Sequence, residues 1–184
     1  TYYGIDIQLM VYMEAAMKLV AKMRPGKNVI PAGVFYYNIS DPIVSATTES
    51  AEEIEDKIKG ELRLKGMVNS DKDIAEKMDN TEGTSLNIPV SRKADGGFDS
   101  RRSKVMNTEQ FNMLGRFVDV RAVDTADRIA GGDIRRSPYK DGQFSSCDRC
   151  PYGAVCGFSV DLPGCNYRKL KKFDCLLYTS DAAD

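Results

Sequence analysis

The segment Gly4-Ile5-Asp6-Ile7-Gln8-Leu9-Met10-Val11-Tyr12, followed by Ile30-Pro31-Ala32-Gly33-Val34-Phe35-Tyr36-Tyr37-Asn38-Ile39, decides how this chain is read. The first part opens a helical pattern over Tyr2 to Met23, in which Ile5, Leu9, Tyr12, Ala16 and Leu19 or Val20 recur at three- and four-residue steps. Pro25-Gly26 stops it. The second part is rich in β-branched and aromatic residues and reads as a largely buried strand, closed by Asp41-Pro42. The segment thus reads as a helix followed by a buried strand. Gln8 and Tyr12 stand at i and i+4, so both side chains fall on one helix face and can serve one site.

Working outward, Thr48 to Lys59 is acidic with sparse apolar positions, which predicts a solvated surface helix. Glu61 to Val68 reads as a strand and Asp71 to Met78 as a short helix. Asp95-Gly96-Gly97 is a hairpin-turn signal. Asn107 and Gln110 have capping-box spacing. The helix they open should bury Phe111, Leu114, Val118, Ala122 and Ile129 on one face and end at Gly131-Gly132. From Asp133 onward Pro, Gly and Cys dominate, and little regular structure is expected. No internal repeat is present.

Composition excludes several chemistries. The 184 residues contain no His, so a Ser-His-Asp triad, a Cys-His protease or a His-ligated zinc cannot be built within the chain. With 26 basic and 27 acidic side chains the net charge is −1. That figure hides a split: residues 1–90 hold 10 basic and 14 acidic side chains, and residues 91–174 hold 16 and 11. The doublets Arg101-Arg102, Arg135-Arg136, Arg168-Lys169 and Lys171-Lys172 are candidate phosphate-backbone contacts beside their plain reading as solvated surface. No apolar run approaches the length of a transmembrane helix, and the N-terminus is not a signal peptide. The cytoplasm is the expected compartment.

The five cysteines, Cys147, Cys150, Cys156, Cys165 and Cys175, all fall in the last 38 residues. An odd count without a secretory signal argues against a disulfide framework and for metal ligation. Cys147, Cys150 and Cys156 form C-x2-C-x5-C, whose short gaps let thiolates approach one centre from tight turns. An iron–sulfur cluster, a structural zinc and a set of buried free thiols are the three readings of this spacing. Either metal site usually takes four ligands; Cys165 is the local candidate for the fourth, and a distant cysteine outside this sequence is the alternative.

The Gln8–Tyr12 pattern with its following strand resembles the end of a RecB-type PD-(D/E)XK nuclease core. Ser137-Pro138-Tyr139-Lys140, followed by Cys147-x2-Cys150-Pro151-Tyr152-x3-Cys156-Gly157-Phe158, resembles its cluster-binding C-terminus. Together, over about residues 1–174, they resemble the nuclease subunits (AddB) of AddAB-type helicase–nucleases. The resemblance implies an α/β fold: a partial PD-(D/E)XK core in residues 1–132 with an inserted segment at 41–106, and a Cys-rich, cluster-binding, loop-rich tail in residues 133–174. It implies that Gln8 and Tyr12 are the Q-x3-Y pair that supports the catalytic strands. Cys147, Cys150 and Cys156 are then three of the four ligands of a [4Fe-4S] cluster with a structural role, and Cys165 is a free thiol. It also implies a Mg²⁺-dependent exodeoxyribonuclease that processes double-strand DNA ends for recombinational repair, with DNA and an AddA-type helicase–nuclease subunit as partners. In that family the Mg²⁺-binding Asp and the D/E-x-K element precede the Q-x3-Y helix. The chain begins in mid-pattern, so they are expected upstream of Thr1, and the chain alone is expected to be inactive. Residues 175–184 depart from the family and resemble a translated sequencing adapter. A CRISPR-associated iron–sulfur exonuclease and a non-enzymatic zinc-binding docking module for DNA or protein are the rival readings.

Overall fold

The computed structural model describes residues 7–45 and 50–170. The expectations for residues 1–6 and for the 175–184 tail lie outside them, as does the Lys171-Lys172 doublet. The chain forms two compact units, one spanning Asp6–Val118 and the other containing the described residues from Asp119 onward.

The first unit starts with α1 (Gln8–Met23). Arg24 closes it by donating its backbone N–H to the Val20 carbonyl, and Gly26 turns the chain at φ +75°. The buried face of α1 is not the expected one. Met10 and Met13 are buried, with Ile7, Leu9 and Met17 partly so, whereas Tyr12, Leu19 and Val20 are exposed. The methionines fit a tightly packed seam because their unbranched chains adapt to irregular gaps.

β1 (Gly33–Tyr36) is shorter than the predicted ten-residue strand. It pairs antiparallel with β2 (Lys65–Asn69), and β2 pairs parallel with β3 (Val105–Met106). Alternation along these strands sorts side chains between two cores. Val34, Met67 and Met106 face a cluster with Met10, Met13, Phe111 and Val118. Phe35, Val68 and Val105 face a second cluster with Ala75, Ile88 and Val90. Gly66 lies opposite Phe35, and a Cβ there would overlap the Val34 carbonyl oxygen, so only glycine fits. The sheet is therefore covered on both faces, which is a layered α/β architecture of the class that the resemblance implies.

Local signals account for the remaining elements. Ser50 caps α2 (Ala51–Leu62) through a capping box with Glu53, and no residue of that helix is buried. Helix α2 takes the first residues of the segment read as a strand. Asp71 caps α3 (Lys72–Met78) by accepting from the N–H groups of Asp73 and Ile74. Arg92 bridges Phe98 across the Asp95-Gly96-Gly97 turn, with Gly96 at φ +75°. Asn107 and Gln110 cap α4 (Thr108–Ala130) reciprocally, at 2.7 and 2.9 Å. The boundary between the two units falls inside α4. Phe111 and Val118 are buried as expected, but Ile129 is 72% exposed and Ala122 is exposed too, so the apolar stripe stops at Val118.

In the second unit, Gly132 turns the end of α4 at φ +74°. β4 (Tyr139–Asp141) pairs antiparallel with β5 (Phe144–Ser145) and parallel with β6 (Arg168–Lys169). The one short helix between them is α5 (Gly153–Cys156).

Candidate functional site

The first group of predicted residues stands on α1. Gln8 Nε2 donates to Tyr12 Oη at 2.8 Å across one helical turn. Both side chains are exposed, Tyr12 by 60%, while Met10 and Met13 turn to the core beside Val34 of β1. Tyr12 is thus not a core residue. The pair is an oriented polar patch on the solvent side of a helix fixed by its opposite face. Among the described residues, no three His, Cys, Asp or Glu side chains come together as a group that could hold a metal ion.

The second group lies in the loop after β5. The backbone N–H and hydroxyl of Ser145 both donate to the Asp148 carboxylate at 2.7 Å. Those bonds, the backbone one first, hold the Asp148 carboxyl below its usual range. The Cys147 N–H donates to Ser145 Oγ at 3.3 Å, and the Cys150 N–H to the Cys147 carbonyl at 3.1 Å. The two-residue gap is therefore one tight turn, as its spacing predicts. Cys156 ends α5, and Gly157 follows in the left-handed region at φ +61°. Cys147 and Cys156 are half-buried, Cys150 is exposed, and all are free thiols, as is Cys165. The nearby Cys147 thiol pushes the Tyr167 pKa up. The Tyr167 ring also meets Phe158 edge-on at 5.0 Å.

The donor set suits a thiolate-bound group: three sulfurs within ten residues, two in one tight turn and the third at the end of α5, in a chain without imidazole. It is not preassembled, since neither these three nor a set including Cys165 forms a ready metal site among the described residues. Any such group would draw the thiols together as it bound.

By sequence, Arg135-Arg136 and Arg168-Lys169 read as surface doublets. The structure engages three of those four side chains internally. Arg135 and Arg128 both pair with Asp133, at 2.7 and 2.9 Å, and hold its carboxyl well below the usual carboxylate range, the Arg135 bond most strongly. Arg136 Nη1 donates to the carbonyls of Cys156 and Gly157, at 3.2 and 2.9 Å. Arg168 Nε donates to the Ser137 carbonyl at 3.0 Å. No local sequence signal marks Arg136 for this contact, which spans twenty residues. Arg101 and Arg102 remain exposed.

The chain has curated relatives along most of its length. The chain is 37% identical over 171 residues to the B subunit of an ATP-dependent helicase/deoxyribonuclease from Caldanaerobacter subterraneus subsp. tengcongensis, covering 92% of this chain and 14% of the relative. The protein of the same name from Clostridium botulinum strain Hall is also 37% identical, over 92% of this chain and 15% of its own. That of Lachnoclostridium phytofermentans is 36% identical, with the same coverage of each chain. The chain thus spans about one-seventh of the length of the curated relatives it matches. The family model described as the PD-(D/E)XK nuclease superfamily matches residues 1–157, which take in α1, the two-faced sheet and all three clustered cysteines. The chain belongs to the PD-(D/E)XK nuclease superfamily.

Proposed function

We propose that these residues form part of the nuclease subunit of an ATP-driven helicase–nuclease that processes double-strand DNA ends for recombinational repair in the cytoplasm. The observation that carries the reading is the likeness to helicase/deoxyribonuclease B subunits along 92% of the chain. The exposed Gln8–Tyr12 pair supports it, since a polar pair held at 2.8 Å on a helix packed from behind is suited to orienting groups at a reaction centre. Mg²⁺ would supply Lewis acidity and activated water for phosphodiester hydrolysis. Gln8 and Tyr12, which offer neutral donors and acceptors, have positioning roles. DNA is the substrate, and an AddA-type subunit is the partner that drives translocation.

Cys147, Cys150 and Cys156 are the residues that would hold a [4Fe-4S] cluster, and the cluster would fasten the loop between β5 and β6 without entering the hydrolysis. No helix among the described residues is long and apolar enough to cross a membrane. The test is ATP- and Mg²⁺-dependent digestion of linear duplex DNA by the full-length gene product with its partner subunit. Degradation should stop with chelator and fall about 10-fold or more in Gln8→Ala and Tyr12→Phe, as positioning losses do. Undiminished digestion by both variants would remove the pair from the mechanism.

A further inference from the structure

Beyond the three thiols, we infer that Arg136 is a positioning residue for Cys156, the arm of a latch that begins at the end of α4. This inference rests on the cluster reading above. The latch starts where Gly132 ends the helix at φ +74°. The Asp133 N–H returns to the Arg128 carbonyl at 2.9 Å, and its carboxylate takes Arg128 and Arg135 together. The Arg135 N–H also donates to Asp133 Oδ1 at 3.1 Å. The backbone entering Arg136 is therefore held by the Asp133 contacts.

From there the Arg136 guanidinium reaches two carbonyls at once, those of Cys156 and Gly157. These are end-of-helix carbonyls, which carry partial negative charge and lack intrahelical donors. Both bonds come from the Nη1 amino group, whose two N–H bonds are held in the guanidinium plane, whereas those of an ammonium rotate freely. Gly157 contributes by its conformation. At φ +61° a side chain would be strained, and the site of its Cβ lies 3.6 Å from Arg136 Nη1. The latch therefore sets the backbone of the third ligand, while Cys147 and Cys150 sit in a separate turn.

The test uses Arg136→Gln and Arg136→Lys in the full-length gene product. The first readout is the rate of alkylation of each cysteine in the iron-free protein, followed by peptide mass. Arg136→Gln should speed alkylation of Cys156 about 5-fold, a small factor because the guanidinium is exposed to water, and leave Cys165 unchanged. The second readout is the visible absorbance of protein reconstituted anaerobically with iron and sulfide. The chromophore should bleach in air about 5-fold faster in Arg136→Gln, with Arg136→Lys recovering part of the difference. Equal alkylation and equal bleaching in wild type and Arg136→Gln overturn the latch. If wild type acquires no chromophore, or binds only zinc, the cluster reading falls instead, even where Cys156 alkylation responds to Arg136→Gln.

Discussion

Asp79 shows what a single polar residue does in this fold. It is buried at the end of α3, and burial alone would raise its pKa. Its carboxylate accepts from Ser85 Oγ at 2.6 Å, Thr81 N–H at 2.8 Å and Asn87 Nδ2 at 3.1 Å. Those bonds outweigh the burial and hold the carboxyl well below the usual carboxylate range. Arg92 adds to the knot by donating to the Asp79 and Thr81 carbonyls. Replacing Asp79 by Ala leaves buried donors without partners and should cost about 2–3 kcal/mol in denaturant unfolding. The pH dependence has a definite sign. A depressed folded pKa gives stability that is full above the unfolded value near 4 and fades as pH falls below it. Acid titration of stability should therefore be flatter below about pH 4 in Asp79→Asn than in wild type. Identical acid profiles would show that Asp79 does not carry the charge assigned to it.

At the scale of elements, the central strand pair depends on Gly66. A side chain there would meet the Val34 carbonyl, and backbone cannot step aside as a rotamer can. Gly66→Ala should cost about 1–3 kcal/mol, with the loss seen in the denaturant midpoint. A neutral Gly66→Ala would mean that β1 and β2 are farther apart than the register requires. The same scale separates what the sequence can reveal from what it cannot. The Asn107–Gln110 box and the Asp95-Gly96-Gly97 turn are legible because each signal and its partner lie within a few residues. The pairing of Gln8 with Tyr12 is legible for the same reason. The buried face of α1 is not. Apolar residues occur around most of that helix, and only the second layer decides that Met10 and Met13 turn inward while Leu19 stays exposed. The two-residue strand β3 carries no period of its own and exists because β2 offers it an edge. Arg136 looks like half of a surface doublet because its acceptors lie twenty residues away.

For the whole molecule, the decisive question is whether these 184 residues can hydrolyse DNA by themselves. Metal-assisted hydrolysis needs carboxylates to hold Mg²⁺ and a group to orient the attacking water. Within the chain, no three acidic or cysteine side chains among the described residues meet at a point, and there is no His to act as a base. Gln8 and Tyr12 offer neutral donors and acceptors that can orient a neighbour but cannot bind the ion alone. DNA contact is a separate matter, because phosphate attraction needs only positive charge. Residues 91–174 hold 16 basic against 11 acidic side chains, with Arg101 and Arg102 exposed. The purified 184-residue polypeptide should therefore bind DNA weakly, lose that binding between low and moderate salt, and leave linear duplex and single strands intact in Mg²⁺. Gel-based digestion and a salt titration of binding test the two halves separately. Chelator-sensitive cleavage above background would place a complete metal site inside this chain. Binding that ignores salt would remove the basic half from the interface.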